Sequence, residues 1–157
     1  MNIESIFKTI NDNGGITLDP LTEQEALTFR FVASYNGYEI AVQFDPDNPS
    51  LDDHKRLVDA FNATREKALE LGAFVGVWVE CPGLWVFDIS TSFARLLPAL
   101  RFAAENQQRA IYDTRLNQTV NVPHGDYIAL IRFARHYRDH YDDHPFGNRE
   151  SVIGKGI

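Results

Sequence analysis

Three times along the chain, two short alternating segments are joined by a turn sequence and followed by an amphipathic helical segment. The helical segments begin near residues 51, 92 and 126, and a shorter helical segment at residues 3–10 precedes them all. Apolar residues at every second position predict strands with one buried face, and hairpins alternating with helices favour an α+β fold. We therefore predict a mainly antiparallel sheet of about six strands from three hairpins, each followed by a helix, plus a short N-terminal helix.

The first hairpin is predicted from an Asn-Gly pair. Apolar residues alternate over residues 27–33 and again over residues 40–44, and Asn36-Gly37 lies between the two segments. Both central positions of a type I′ turn need positive φ, which Asn and Gly tolerate best. The two segments are therefore expected to pair with each other.

The second hairpin carries both tryptophans. Its predicted strands, residues 73–79 and 84–89, flank a turn at Pro82-Gly83. A two-residue turn would pair Trp78 with Phe87 and place Trp78, Trp85 and Phe87 on one face. That face is either part of the core, covered by helices, or a surface for a partner protein or a second copy of the chain.

Local sequence also predicts where the helices begin and end. Ser50 and Asp53 have capping-box spacing, and Gly72 fits the position after the last helical residue. Pro98 is poorly placed inside a helix starting at Ser92, so the regular helix is expected to begin only at Pro98. A third hairpin, residues 109–113 and 118–122, precedes a helix over residues 126–141.

Acidic residues are concentrated at the start of the chain. The sequence has 22 acidic residues and 15 Lys plus Arg, a net charge of −7. Residues 1–60 hold 11 acids and four bases, whereas residues 61–157 hold 11 of each. A negative surface repels phosphate, so direct nucleic-acid binding is not expected, and a basic protein partner is favoured.

The candidate partner-binding surface is the acidic segment between the first hairpin and the first long helix. It contains Asp45, Asp47, Asp52 and Asp53. The same pattern is also explained by a helix N-cap with acidic residues in the first turn. It does not fit a calcium loop, because Ser50 and Arg56 stand where an EF-hand needs Gly and Glu.

The candidate metal ligands lie on the last helix. His136 and His140 are one turn apart on one helix face, with Asp143 close to that face. The alternative is a solvated helix face rich in histidine. No cofactor is predicted, apart from a divalent metal at these three residues.

Catalytic signatures are absent from the sequence. It contains no glycine-rich phosphate loop, no His-Glu-x-x-His and no Gly-x-Ser-x-Gly. Asp88 and Asp113 each end a predicted strand, where two carboxylates can form an acid/base pair but where Asp also commonly opens a turn. Cys81 follows Glu80, which disfavours a thiolate. We therefore expect no catalytic residues and favour a protein that is not an enzyme.

Length and composition predict a single soluble domain over residues 1–141, followed by a flexible tail. The tail, residues 142–157, has little hydrophobic pattern and contains three Gly. No apolar segment approaches the roughly 18 residues of a membrane span, and the first residues do not resemble a signal peptide. With a single cysteine in the chain, the expected compartment is the cytoplasm.

Four short motifs occur in a recognisable order: GGITLD at residues 14–19, GVW at 76–78, VFDIS at 86–90 and QRAIYD at 108–113. Together they resemble a family of small acidic proteins from actinobacteria, their phages and other mobile elements, over roughly residues 10–122. No activity is established for that family, so the resemblance implies no site residues. It implies a setting, that of an accessory gene product carried by a phage or mobile element.

These observations lead to one functional prediction and two alternatives. The prediction is a non-catalytic, acidic protein that binds another protein, such as a phage-borne inhibitor that covers the nucleic-acid-binding surface of a host defence protein by charge mimicry. One alternative is a small metal-binding protein or metal-dependent enzyme using His136 and His140. The other is a homo-oligomeric structural protein joined through the tryptophan face.

Overall fold

The computed structural model describes residues 3–45, 47–48 and 50–142 of the chain. The elements in chain order are α1 (Ile3–Asn13), β1 (Gly15–Leu18), β2 (Phe31–Ser34), β3 (Ile40–Gln43), α2 (Leu51–Leu71), β4 (Phe74–Cys81), β5 (Leu84–Phe93), α3 (Leu96–Glu105), β6 (Ala110–Asp113), β7 (Gln118–Asn121) and α4 (Tyr127–Tyr141). The strand pairings described below are all antiparallel, which confirms the predicted α+β class. The predicted tail beyond Asp142 lies outside the described residues.

The chain forms two compact units, and neither is continuous in sequence. Unit 1 comprises Met1–Leu27 and Tyr35–Thr91, and unit 2 comprises Thr28–Ser34 and Ser92–Ile157. Each unit has its own cluster of buried apolar side chains. The predicted single domain over residues 1–141 stays a prediction.

Unit 1 has the strand order β1-β4-β5-β3. Strand β1 pairs with β4 from Gly15 opposite Trp78 to Leu18 opposite Val75. Helix α1 packs against β1 and β4, and α2 packs against β3 and β4. The helices and the sheet enclose an apolar core that includes Phe61 and Ile89.

The boundaries of α2 confirm the local prediction. The Ser50 side chain accepts a hydrogen bond from the Asp53 backbone N–H, and the Asp53 carboxylate accepts one from the Ser50 backbone N–H. Gly72 ends the helix in the left-handed conformation, with φ of 64°. A residue without a Cβ atom adopts this φ with little strain, which explains why the helix stops there.

The first predicted hairpin is not formed as expected. Strand β3 pairs with β5, with Ile40 opposite Phe87 and Val42 opposite Trp85, while β2 pairs with β6. Of the two turn residues, only Gly37 has positive φ, so the segment is not a type I′ turn. Pairing with β5 places Ile40 and Val42 opposite two buried aromatic residues, and pairs of aromatic with β-branched residues stabilise a sheet.

The strand before Asn36 is also shorter than the alternation suggested. Strand β2 covers only Phe31–Ser34, and the side chains of Leu27 and Phe29 are 101% and 64% exposed. The alternation of apolar residues therefore extends over more of the sequence than the strand that is formed.

Unit 2 contains β2, β6 and β7 with helices α3 and α4. Strand β6 lies between the other two, and its hairpin with β7 is formed as predicted. Helix α3 packs against β2, β6 and α4. Leu100 and Phe31 lie at the centre of this core.

Helix α3 begins at Leu96, with Pro98 in its first turn and Arg95 at the N-cap. Ser92 and Phe93 belong to β5 instead. The prediction that Pro98 marks the start of the helix is thus correct to within two residues, because a first-turn N–H needs no intrahelical partner.

None of the described helices combines the length and the apolar composition needed to cross a bilayer. The longest, α2, has 21 residues and carries charged side chains from its first turn onwards.

Candidate functional site

The acidic segment predicted as a partner surface lies in unit 1, between β3 and the first turn of α2. Asp45, Asp47 and Asp52 are exposed, and Asp53 is half-buried. Oδ1 of Asp45 accepts a hydrogen bond of 2.9 Å from the backbone N–H of Asp47, which closes the turn after β3. Three of the four predicted carboxylates thus face solvent.

Asp53 is engaged in the structure of α2 itself. Its carboxylate completes the capping box with Ser50 and forms an ion pair with Arg56. The hydrogen bond with the Ser50 backbone is the largest influence on Asp53 and lowers its pKa, and Arg56 lowers it further. Asp53 therefore belongs to the helix cap, which was the alternative explanation of the acidic pattern.

The division into units changes how the charge is distributed. Unit 1 contains 15 acidic residues and five Lys plus Arg, a net charge of −10. Unit 2 contains seven acidic residues and ten Lys plus Arg, a net charge of +3. Dividing the sequence at residue 60 concealed this contrast. Residues 61–91 add net negative charge to unit 1, and the positive charge of Arg30 belongs to unit 2.

The predicted tryptophan face is wrong. A β-bulge between Val79 and Cys81 shifts the register of β4 on β5, so Trp78 lies opposite Val86 rather than Phe87. Because cross-strand partners share a face, the shift separates Trp78 from Trp85 and Phe87.

Trp85 and Phe87 are core residues of unit 1. They are only 2% and 4% exposed, and Trp85 contacts the ring of Phe44 edge-on at 5.6 Å. Trp78 is half-buried on the opposite face, with its Cβ beside Gly15. These three side chains therefore do not form one exposed surface.

The two candidate metal-binding histidines lie on the exposed face of α4. The rings of His136 and His140 are nearly parallel, with centroids 6.4 Å apart. Arg132, Arg135 and Arg138 are exposed on the same helix. Their positive charge disfavours a divalent cation near the imidazoles.

The third proposed ligand, Asp143, lies outside the described residues. Among residues 3–45, 47–48 and 50–142, no three His, Cys, Asp or Glu side chains are grouped so that they could hold a metal ion. The metal hypothesis stays a prediction that rests on His136 and His140.

Unit 2 contains a buried ionic cluster that sequence reasoning missed. Arg30 contacts both oxygens of Asp113, and its Nη1 lies 2.9 Å from Oδ1 of Asp142. Arg115 lies 3.3 Å from the same oxygen of Asp142. The two carboxylates are fully buried and the Arg30 side chain is 9% exposed, so this is an interior network.

Asp113 accepts hydrogen bonds from several directions. Besides Arg30, the Tyr137 hydroxyl donates to its Oδ2 at 2.7 Å, and the backbone N–H groups of Arg115 and Leu116 donate to its Oδ1. The Tyr137 hydroxyl in turn accepts a hydrogen bond from Gln118. A carboxylate with this many donors is a satisfied structural group, so the turn interpretation of Asp113 is correct and an acid/base role is disfavoured.

The electrostatics of the cluster agree with this assignment. Burial is the largest single influence on Asp113 and raises its pKa, but hydrogen bonds from Arg30 and Tyr137 outweigh it and hold the pKa below its usual value. Burial also raises the pKa of Tyr137, and the hydrogen bond to Asp113 adds to that rise. At neutral pH the pair is therefore a charged acceptor and a neutral donor.

The other two residues weighed for chemistry also have structural surroundings. Asp88 is fully buried on β5, and its Oδ1 occupies the space where a side chain at Gly76 would begin. Cys81 is a free, exposed thiol at the end of β4.

Comparisons with protein-family models, with curated proteins and with solved structures found no match. The resemblance of residues 10–122 to a family of small acidic proteins therefore stays a prediction.

Proposed function

We propose that this protein is a non-catalytic, acidic protein-binding protein whose unit 1 binds a basic surface on another protein. The observation that supports this proposal is the net charge of −10 on unit 1, with Asp45, Asp47 and Asp52 exposed beside α2. Exposed carboxylates of one sign steer a basic partner towards the surface and discriminate against acidic competitors.

The partner we propose is a nucleic-acid-binding protein of the host cytoplasm. A surface that normally binds phosphate groups carries Lys and Arg, and an array of carboxylates competes for the same side chains. The resemblance to proteins of phages and mobile elements suggests a setting in which such competition inhibits a defence protein. Unit 2, with its net charge of +3, takes no part in this contact.

The test is affinity capture of the tagged full chain from native host lysate, with and without nuclease, read by mass spectrometry. The affinity of the captured partner is then measured against salt for wild type and for a triple variant, Asp45→Asn, Asp47→Asn and Asp52→Asn. Asn at position 45 retains the turn hydrogen bond to the Asp47 backbone, and the Ser50–Asp53 cap is unchanged, so the variant removes charge alone. With about 0.2–1 kcal/mol per exposed ion pair, binding should weaken about tenfold and depend less on salt.

A matched control removes three exposed carboxylates from unit 2: Glu105→Gln, Asp126→Asn and Asp139→Asn. This control changes net charge by the same amount and should bind as wild type does. If both triple variants bound the partner equally weakly, or if neither lost affinity, the assignment to the unit 1 surface would be overturned. Loss of the captured protein on nuclease treatment would overturn direct protein binding.

A further inference from the structure

Strand β3 is an edge strand of unit 1. It pairs with β5 over all four of its residues, from Ile40 opposite Phe87 to Gln43 opposite Leu84. In the described part of the chain, β5 is its only neighbouring strand. One side of β3 therefore has no strand beside it.

The backbone groups on that free side can be assigned. The N–H of Phe44 donates a hydrogen bond of 2.7 Å to the carbonyl of Gly83, the residue directly opposite it in this register. Hydrogen-bonded pairs alternate along an antiparallel ladder, so Val42 and Ile40 also point their N–H and C=O groups towards β5. Ala41 and Gln43 consequently point theirs away from it.

An open cleft of about 480 Å³ runs along this edge. It is lined by all four residues of β3 and by one face of α2, namely Arg56, Asp59, Ala60 and Ala63. The lining includes Ala41 and Gln43, which are exposed and whose backbone N–H and C=O groups point away from β5. These outward backbone groups therefore border the cleft.

The charges around the cleft indicate what would fill it. Glu39 and Asp45 are exposed just before and after β3, and Asp59 is part of the lining. The nearby cation, Arg56, is already paired with Asp53. An extended peptide with Lys or Arg side chains complements this edge in both backbone hydrogen bonding and charge.

We propose that β3 accepts an extended, Lys- or Arg-bearing segment of the partner protein as an added strand. Ala41 and Gln43 together offer two N–H donors and two carbonyl acceptors, and Glu39, Asp45 and Asp59 engage the basic side chains. This inference rests on the proposed function and specifies how the acidic unit holds a basic protein.

The test uses a capped eight-residue peptide of alternating Lys and Val, with a second peptide N-methylated at two adjacent central residues. Adjacent methylation blocks hydrogen-bond donors on both edges of an extended peptide and leaves its charge unchanged. Calorimetry with the full chain should show the unmodified peptide binding at least about three- to tenfold more tightly, as expected for lost hydrogen bonds. The backbone amides of Ala41 and Gln43 should shift in NMR spectra and exchange more slowly with solvent.

Two variants of the protein complete the experiment. Ala41→Pro removes an outward N–H at a position where an edge strand tolerates proline, and Ala41→Ser retains it. Ala41→Pro should lower the affinity for the unmodified peptide to that for the methylated peptide. Ala41→Ser should bind the unmodified peptide as tightly as wild type does. Urea unfolding of both variants verifies that each is folded.

Equal affinity for the two peptides, or unchanged amide signals at residues 41 and 43, would overturn strand addition. If that binding nevertheless remained salt-dependent and sensitive to the Asp45, Asp47 and Asp52 substitutions, the proposed acidic surface would stand without it. Absence of binding by either peptide would also overturn strand addition, while the captured partner and the matched triple variants decide the proposed function separately.

Discussion

Arg30 and Asp113 lie 83 residues apart in the chain and form a two-point ion pair inside unit 2, with Nε–Oδ1 and Nη2–Oδ2 distances of 2.9 and 2.8 Å. The pair joins the residue directly before β2 to the last residue of β6, where Phe31 lies opposite Asp113. Tyr137 of α4 donates to the same carboxylate. A single acceptor thus holds two strands and a helix together.

We expect Asp113→Asn to destabilise the protein strongly. The substitution preserves shape but leaves the Arg30 guanidinium with Asp142 as its remaining charged partner, and breaking a buried ion pair typically costs about 3–5 kcal/mol. The urea midpoint measures the loss. Asp139→Asn, at an exposed carboxylate of α4, is the control and should change stability by less than about 0.5 kcal/mol. A small effect of Asp113→Asn would show that the pair contributes little to stability.

Acid should remove the contribution of Asp113. Its folded-state pKa lies below the unfolded value, so the stabilisation is fully present above about pH 4 and is lost as pH falls through the folded pKa. The difference in unfolding free energy between wild type and Asp113→Asn should therefore be largest near neutral pH and shrink below about pH 4. Urea unfolding from about pH 2.5 to pH 7 tests this dependence. A constant difference across that range would contradict it.

The two tryptophans should differ in their effect on stability. Trp85→Ala opens a cavity in the core of unit 1 and is expected to cost about 3–5 kcal/mol. Trp78→Ala, at a half-buried position on the opposite face, should cost less. Trp78→Ala is also the better variant for testing self-association, since light scattering would then report on an interface rather than on unfolding.

Gly76 should tolerate no side chain. A Cβ atom there would lie 2.1 Å from Oδ1 of the buried Asp88, so Gly76→Ala forces the carboxylate or the strand to move. We expect a cost of about 1–3 kcal/mol, seen as a lower Tm. Gly15→Ala is the matched comparison, because its nearest contact, Trp78 Cβ, lies 3.1 Å away and the strain should be smaller. Equal Tm values for Gly76→Ala and wild type would contradict the prediction.

Metal content tests the alternative function, a metal-binding protein that uses His136 and His140. With three arginines exposed on the same helix, we expect dialysed, untagged protein to retain less than about a tenth of an equivalent of zinc or nickel by elemental analysis. His136→Gln with His140→Gln should leave that value unchanged. Retention of a full equivalent that the double variant loses would establish a metal site on α4.

The parts of the fold that the sequence predicted are those set by neighbouring residues. The Ser50–Asp53 cap, the Gly72 stop and the turns of the second and third hairpins all depend on chemistry within a few positions. In the first hairpin the choice of partner was decided elsewhere, because Trp85 and Phe87 on a later strand pair with β3. Local alternation cannot rank one partner strand against another.

The sites were harder to predict for the same reason. The bulge near Glu80 moved Trp78 to the other face, since one extra residue reverses every side chain beyond it. No short spacing in the sequence marks the buried ionic cluster. Arg30 is 83 residues from Asp113 and 112 residues from Asp142 along the chain. The exposed acidic residues were found because charge is visible in a sequence without knowledge of contacts.

Unit 2 takes its first strand from residues 28–34 and everything else from residue 92 onwards. On the ribosome, β2 therefore emerges long before β6, and these two strands can pair only after about 80 further residues have been synthesised. A fragment that starts at residue 92 would lack both β2 and the Arg30 guanidinium that pairs with Asp113 and Asp142. Expression of unit 2 by itself thus requires a rearranged gene in which residues 28–34 are joined to the later segment.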